Sequence, residues 1–372
     1  MSSKIAITKC SSYESKLVDD SVRKAIDLLG GISNFIKPGS RVLVKPNLLM
    51  GVAPEAGVCT HPEVIRAVIK LLKEINCKIS LGDSPSVWGK HIEDVDNVYE
   101  LSGVKKLCQE EGVNLVKFES RRWHGKLLLT TAIDDCDYVV SIPKFKTHGL
   151  TILTGAIKNL FGLVAGIYKT ELHKKHFVVT DFSGMLVDIY QKTHPALTII
   201  DGITAMEGDG PGTSGKLRQS NLILASSDGV ALDAALAKIM GLKPEDIPTN
   251  KIAYDRGLGE INFNKIEIKG EKIEDVTGKP FLLPSSSMAK KIPQPIINLI
   301  KALIKYRPYC VHKKCIRCGA CIKACPSKII RFEDHRITFD YSGCIACFCC
   351  QEVCPKAAIK VRKSLLAKAI GL

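Results

Sequence analysis

The sequence predicts an α/β protein, a mostly parallel sheet layered with helices, with a small α+β unit at its C-terminal end. Three observations predict it. Short apolar runs alternate with helix-patterned stretches over residues 1 to about 270. A Pro/Ser-rich connection breaks that pattern at 271–305. Ten of the fifteen cysteines then fall after residue 309.

Taken in order, "KIAITKC" and "RVLVKPN" have strand character. "THPEVIRAVIKLLKEIN" follows, with Val64, Ile65, Val68, Ile69, Leu72 and Ile75 at helical spacing. Thr60 and Glu63 fit a capping box, and Pro62 suits the first turn. "KISLGDS" completes a β-α-β unit. "VNLVKFE", "YVVSIPK", "LTIIDGI" and "NLILASS" are further strands, and "GVALDAALAKIMG" is a helix ending at Gly241. "PKFKTHGLTILTGAIKNLFG" places Ile152, Leu153, Ala156, Ile157, Leu160 and Phe161 on one helical face. Thr151, Gly155, Lys158 and Gly162 fall opposite, a small-residue stripe that something approaches closely. Within 271–305, "IINLIKALIKY" is a short basic amphipathic stretch; residues 306–362 form the cysteine-rich unit and 363–372 a tail.

The 372 residues suffice for one large core and a small second one. The N-terminus has no long apolar stretch and no cleavage site, and no run reaches the length of a membrane span. A cytoplasmic location is expected. So many cysteines in such a chain point to metal or redox chemistry rather than disulfides. The formal charge of +15 favours acidic partners or anionic ligands. No arginine-rich patch interleaved with aromatics points to nucleic acid.

The cysteines repeat. Cys315, Cys318, Cys321 and Cys325, then Pro326, form C-x2-C-x2-C-x3-C-P. Cys344, Cys347, Cys350, Cys354 and Pro355 restate it 29 residues later. This is the bacterial ferredoxin run, in which the fourth cysteine serves the other cluster. Cys315, Cys318, Cys321 and Cys354 are therefore assigned to one [4Fe–4S] cluster, and Cys344, Cys347, Cys350 and Cys325 to the other. The duplicated register argues against zinc. Cys349 and Cys310 fall outside it and read as small packing residues. With each cluster and its thiolates near −2, the charge becomes roughly +11.

In parallel sheets, ligands gather beyond the carboxyl ends of strands. There the sequence places Lys45 and Asn47, Asp83 and Ser84, Lys144, Lys146 and His148, and Asp201. The loop "GITAMEGDGPGTSGK" adds Glu207, Asp209 and Lys216. Repeated Lys and Asp suggest a polar, anion-binding cleft. "GPGTSGKL" is not a P-loop: Leu217 stands where Ser or Thr would hold magnesium, and a strand follows. It reads as a mobile glycine-rich loop over the cleft. Lys158, beside Asn159, can pair with negative charge, and His173 and His176 lie downstream.

"VLVKPN", "THPEVIRAVI", "GDSP", "PKFKTH", "TGAIKNLFG" and "SDGVALDAALAKIMG" together resemble the family called domain of unknown function 362, over about residues 3 to 270. That resemblance implies an iron–sulfur protein without an agreed reaction. A fainter similarity links His148, Lys158 and His173 or His176 to the histidine–lysine–histidine set of nickel-pincer lactate racemases. Ala156 and Ile157 stand where that family has paired glycines.

The leading expectation is an oxygen-sensitive electron-transfer protein, a reductase or reductive activator working anaerobically. It would pass electrons from two [4Fe–4S] clusters to an anionic substrate or cofactor in the N-terminal cleft. Lys45, Asn47, Asp83, Lys144, Lys146, Asn159 and Asp201 are the candidate binding residues. His148 and Lys158 are the candidate catalytic ones. A redox partner, an acidic ferredoxin or flavodoxin, would exchange electrons with the clusters. The alternatives are a docking carrier without chemistry of its own and a metal-cofactor enzyme of the racemase kind.

Overall fold

A computed structural model describes residues 3–85, 93–164, 166, 168–176, 178–285 and 306–364. The large domain is one ten-stranded mixed sheet. Its strands are β1 (Ser3–Lys9), β2 (Arg41–Pro46), β3 (Lys78–Leu81) and β4 (Asn114–Leu115). A side hairpin, β5 (Arg121–His124) with β6 (Leu127–Thr130), precedes β7 (Tyr138–Ile142), β8 (Lys144–His148) and β9 (Ile152–Thr154). β10 (Leu197–Gly208), β11 (Gly215–Ser226) and β12 (Ile266–Gly270) complete it. The order is β12-β1-β11-β10-β7-β2-β3-β4, with β8 on β10 and β9 on β8. Pairing is parallel except where β11 meets β1 and β10 and where β9 meets β8.

Helices α1 (Ser15–Leu28) and α2 (Pro62–Glu74) contribute apolar faces to the core that also contains Val42, Val44 and Ile142. α3 (Glu93–Leu101) and α4 (Val104–Glu111) extend it. α2 is capped by His61, whose Nδ1 accepts from Glu63 N, and not by Thr60. The Thr60 hydroxyl is drawn inward: it donates to Ile142 O at 2.6 Å and accepts from Asn47 N at 2.8 Å.

The stretch from Lys144 to Gly162 is not one long helix. It forms β8, a turn, β9, then the single turn α5 (Ala156–Asn159). Two constraints break it. Ile152 holds φ +70°, which is costly for a β-branched residue, about 1–3 kcal/mol. The buried Asp233 carboxylate accepts from Ala156 N and Ile157 N, starting the helix only there. The small-residue stripe is explained by the protein's own charges. A Cβ at Gly155 would overlap Asp233, and one at Gly162 would overlap Lys45 and Asp83.

α6 (Tyr168–Lys175), α7 (Val179–Thr193), α8 (Gly229–Ile239) and α9 (Pro248–Asp255) cover the remaining sheet surface. Asp228 caps α8, and Gly241 follows it at φ +80°. The domain runs past residue 270: α10 (Ile273–Val276) follows, and Phe281 N donates to Met240 O. Ser285 N donates to Asp209 Oδ1 at 2.8 Å. Residues 296–305 of the amphipathic stretch lie outside the described residues, as does most of the tail.

The cysteine-rich unit is built twice. Short helices Ala320–Lys323 and Cys349–Glu352 occupy matching places, 29 residues apart. Positive φ recurs at the same spacing, at Arg317 and Ala346, Gly319 and Phe348, Lys328 and Ala357. Strands β13 (Tyr306–Cys310) and β16 (Ile359–Lys363) pair, as do β14 (Ile330–Glu333) and β15 (Arg336–Phe339).

Candidate functional site

The carboxyl ends of β2, β3, β7 and β8 gather the candidate residues into three groups. In the first, Lys45 Nζ lies 2.8 Å from Asp83 Oδ1 and donates to Pro46 O. Asn159 Oδ1 accepts from Lys45 Nζ and Asn47 Nδ2, and Asn159 Nδ2 donates to Ser141 Oγ at 2.9 Å. Burial pushes the Lys45 amine down while Asp83 opposes the shift. In the second, Lys144 Nζ sits 2.8 Å from Asp201 Oδ2. It also donates to the Tyr13 hydroxyl, which in turn donates to Asp201 Oδ1. Tyr13 stacks on His61 at 3.7 Å, and His61 N donates to Asp201. Both groups are internally neutralised.

The third group differs. His148 Nδ1 accepts from Leu150 N and Thr151 N, so its proton sits on Nε2. Nε2 lies 3.1 Å from Oε1 of Glu352, which comes from the cysteine-rich unit. Burial, then Lys158, push His148 down to about 4, so it is neutral at pH 7. Despite its own burial, Glu352 is held down to about 2 by His148, Lys158 and His173. His173 stacks on Phe182 and is pushed down to about 3, chiefly by burial. His176 remains outside this group, partly exposed just past the end of α6.

Three lysines lie in this region: Lys158 and Lys146 act on the pair, and Lys169 feels Lys158. Lys146 Nζ donates to Val58 O at 2.6 Å, and burial pushes it down to about 7. Lys169 donates to Ser84 O and is likewise pushed down to about 7 by burial. Lys158 keeps partial exposure; burial lowers its amine while Glu352 and Cys349 oppose the shift. Among the described residues no carboxylate lies within 4 Å of any of these three amines. Such a group of amines can bind an anion, and neutral His148 with its Nε2–H can donate a proton to one.

The cysteine-rich unit meets this site directly. Gly212 packs against Glu352 O, and Thr213 Oγ1 donates to Cys354 O at 2.7 Å. The glycine-rich loop therefore seats the C-terminal unit. Within that unit one pocket is lined by Cys315, Cys318, Cys321 and Cys354. A second is lined by Cys325, Cys344, Cys347 and Cys350. Ile329 N donates to Cys325 Sγ, and Ala358 N to Cys354 Sγ, again one repeat apart. Among the described residues no three His, Cys, Asp or Glu converge on a single metal ion. Four sulfurs spaced around a pocket, with amide donors on them, fit a four-iron cluster instead. Cys349 is fully buried against Ala324, Cys347 and Val353 and lines neither pocket.

Glu352 and Lys169 were not legible as site residues. Glu352 lies among cluster cysteines, and only the contact between domains gives it a role.

Fold and cysteine pockets together define an iron–sulfur electron-transfer protein. Residues 314–358 match a 4Fe-4S dicluster domain, and residues 42–238 match "Domain of unknown function (DUF362)". The chain belongs to the DUF362 family. It is 37% identical over 261 residues to a thylakoid-associated protein of Synechocystis sp., covering 68% of this chain and 79% of that protein. It is similar to a structural-genomics crystal structure of a protein from Thermotoga maritima, at 14% identity and TM-score 0.39, over 63% of this chain and 61% of that one. It is also similar to the lactate racemase apoprotein from Thermoanaerobacterium thermosaccharolyticum, at 13% identity and TM-score 0.38, over 64% and 56%. Less than two thirds of either solved chain is therefore spanned, and at these TM-scores neither likeness bears on what this chain does. No described helix is long and apolar enough to cross a membrane.

Proposed function

We propose that the chain is a cytoplasmic reductase or reductive activator that acts on an anionic substrate or cofactor bound at Lys146, Lys158 and Lys169. Cys315, Cys318, Cys321 and Cys354 would hold one [4Fe–4S] cluster and Cys325, Cys344, Cys347 and Cys350 the other, supplying low-potential electrons. The observation that carries this reading is the seating of helix Cys349–Glu352: the segment bearing Cys350 and leading to Cys354 is buried against His148. Fusion of the two parts keeps them at high effective concentration. The paired residues Lys45, Asp83, Lys144 and Asp201 shape the cleft and leave the three unmatched lysines for the anion. His148, with its Nε2–H fixed by two amides, is the proton donor.

Full-length protein purified without oxygen should carry about eight iron atoms. His148→Ala and Lys158→Ala should keep that iron and the reducibility of the clusters, yet lose electron delivery to the bound acceptor. Retention of every measured acceptor activity in both variants would show the site to be elsewhere. A carrier that serves a partner enzyme is the second reading, favoured by the exposed basic residues around Cys318. It expects no small molecule in native mass spectra of the intact protein.

A further inference from the structure

Resting on the reading that the cleft binds an anion, we infer that Glu352 is a resident occupant of that site. Its carboxylate holds the place of a small oxyanion of charge −2, which enters by displacing it.

Four observations lead there. The fold does not require a carboxylate at this position: the matching residue of the first repeat is Lys323, which is exposed. Glu352 is held mainly by neighbouring charge rather than by several aligned donors. Its Oε1 lies 3.1 Å from His148 Nε2, yet among the described residues neither atom gains a well-aligned hydrogen bond. Buried carboxylates ordinarily collect several donors. Third, the charges do not balance. Lys146 and Lys169 reach only backbone carbonyls and Lys158 faces no carboxylate within 4 Å; Glu352 opposes the lowering of Lys146 and Lys158, and Asp83 that of Lys169. Buried charge without compensation is costly, so a dianion suits the site better than one carboxylate. Finally, Lys158, Asn47, Ser84 and Gly162 keep partial exposure beside otherwise buried neighbours, leaving a way in. An entering dianion would push out the segment that carries Cys350 and Cys354, so occupancy of the cleft is felt at the cysteine-rich unit.

The test uses the full-length protein, purified without oxygen, as wild type and as Glu352→Gln. Each is titrated by calorimetry with inorganic phosphate and, separately, with malonate. Glu352→Gln should bind at least one of them about tenfold more tightly than wild type, and adding Lys158→Ala should remove the gain. A gain with phosphate alone assigns a phosphate ligand; a gain with malonate alone assigns a dicarboxylate. Equal affinity of wild type and variant, or binding by neither, overturns the inference. Should the variant not load iron, hydrogen exchange on the wild type decides. Saturating anion, against chloride at matched ionic strength, should speed amide exchange across residues 349–354; unchanged or slower exchange overturns the proposal. Displacement without electron delivery would leave the inference standing and refute the reductase reading. Electron delivery to another acceptor, with no displacement, would do the reverse.

Discussion

Cys315–Pro326 and Cys344–Pro355 share a backbone and face opposite surroundings. In the first copy, Ile316, Arg317, Cys318 and Lys323 are exposed, with Ile316 at 56%. In the second, Phe348, Cys349, Gln351 and Glu352 are buried. Gly319 takes φ +73° freely, whereas Phe348 takes φ +61° at a cost of about 1–3 kcal/mol. Burying the ring returns about 2 kcal/mol. Duplication thus supplied two equivalent metal frames, and divergence between the ligands turned one inward to the sheet and left the other in solvent. The functional difference lies in the residues between the cysteines, not in the cysteines.

The largest effect should come from the register itself. If the proposed assignment holds, Cys354→Ala removes a ligand and should lower iron from about eight to about four atoms or fewer. Cys349→Ala, one position from Cys350, should keep the full complement. Iron analysis of protein purified without oxygen separates them, and equal losses would break the assignment.

Next comes the charge that distinguishes the copies. Glu352→Lys puts the first repeat's residue into the second. It sets a buried cation against Lys158 and should cost about 3–5 kcal/mol, as breaking a buried pair does. Lys323→Glu, the reverse exchange, should stay within about 0.5 kcal/mol. Urea unfolding under anaerobic conditions reads both. Similar costs would mean that the inward contact contributes little to the fold.

A smaller effect should follow pH. Lys146 and Lys169 are pushed down to about 7 by burial, while the unfolded chain binds their protons up to the ordinary lysine range. Above pH 7 the unfolded state therefore holds more protons, and stability rises with pH. The useful window ends near pH 8.5. Beyond it the buried thiols of Cys108 and Cys136, both pushed up to about 11, act in the opposite sense. Lys169→Met should flatten the rise between about pH 7 and 8.5; an unchanged slope would place the proton elsewhere.

Much of this was legible in the sequence. Spacing alone marked Cys315 to Cys354 as a duplicated frame, and alternating periodicity marked the sheet. The strand-end rule brought Lys45, Asp83, Lys144 and Asp201 together because parallel strands end on one side. It could not say which lysines would be neutralised, since that depends on distances between strands. The apolar period from Ile152 to Phe161 misled, because Asp233 and the turn at Ile152 override it through contacts remote in sequence. Glu352 was illegible for a related reason: its partner His148 comes from the other domain, remote in sequence.

The outward copy offers the finest test. Lys313, Lys314, Arg317 and Lys356 are exposed around the pocket of Cys315, Cys318, Cys321 and Cys354, with Ile316 among them. Among the described residues none of these four cations has an ion-pair partner, so the face is basic with an apolar centre. A small acidic redox protein suits it by charge, and rim charges act on encounter rate more than on stability. Arg317→Glu together with Lys314→Glu should therefore leave iron content and unfolding unchanged. It should slow reduction by an acidic ferredoxin several-fold at low salt, and the difference should vanish as salt shortens the Debye length from about 30 Å to about 3 Å. Stopped-flow reduction of the clusters measures this. If the rates match at every salt concentration, electrons enter by another face, and the two copies differ only in what the inward one touches.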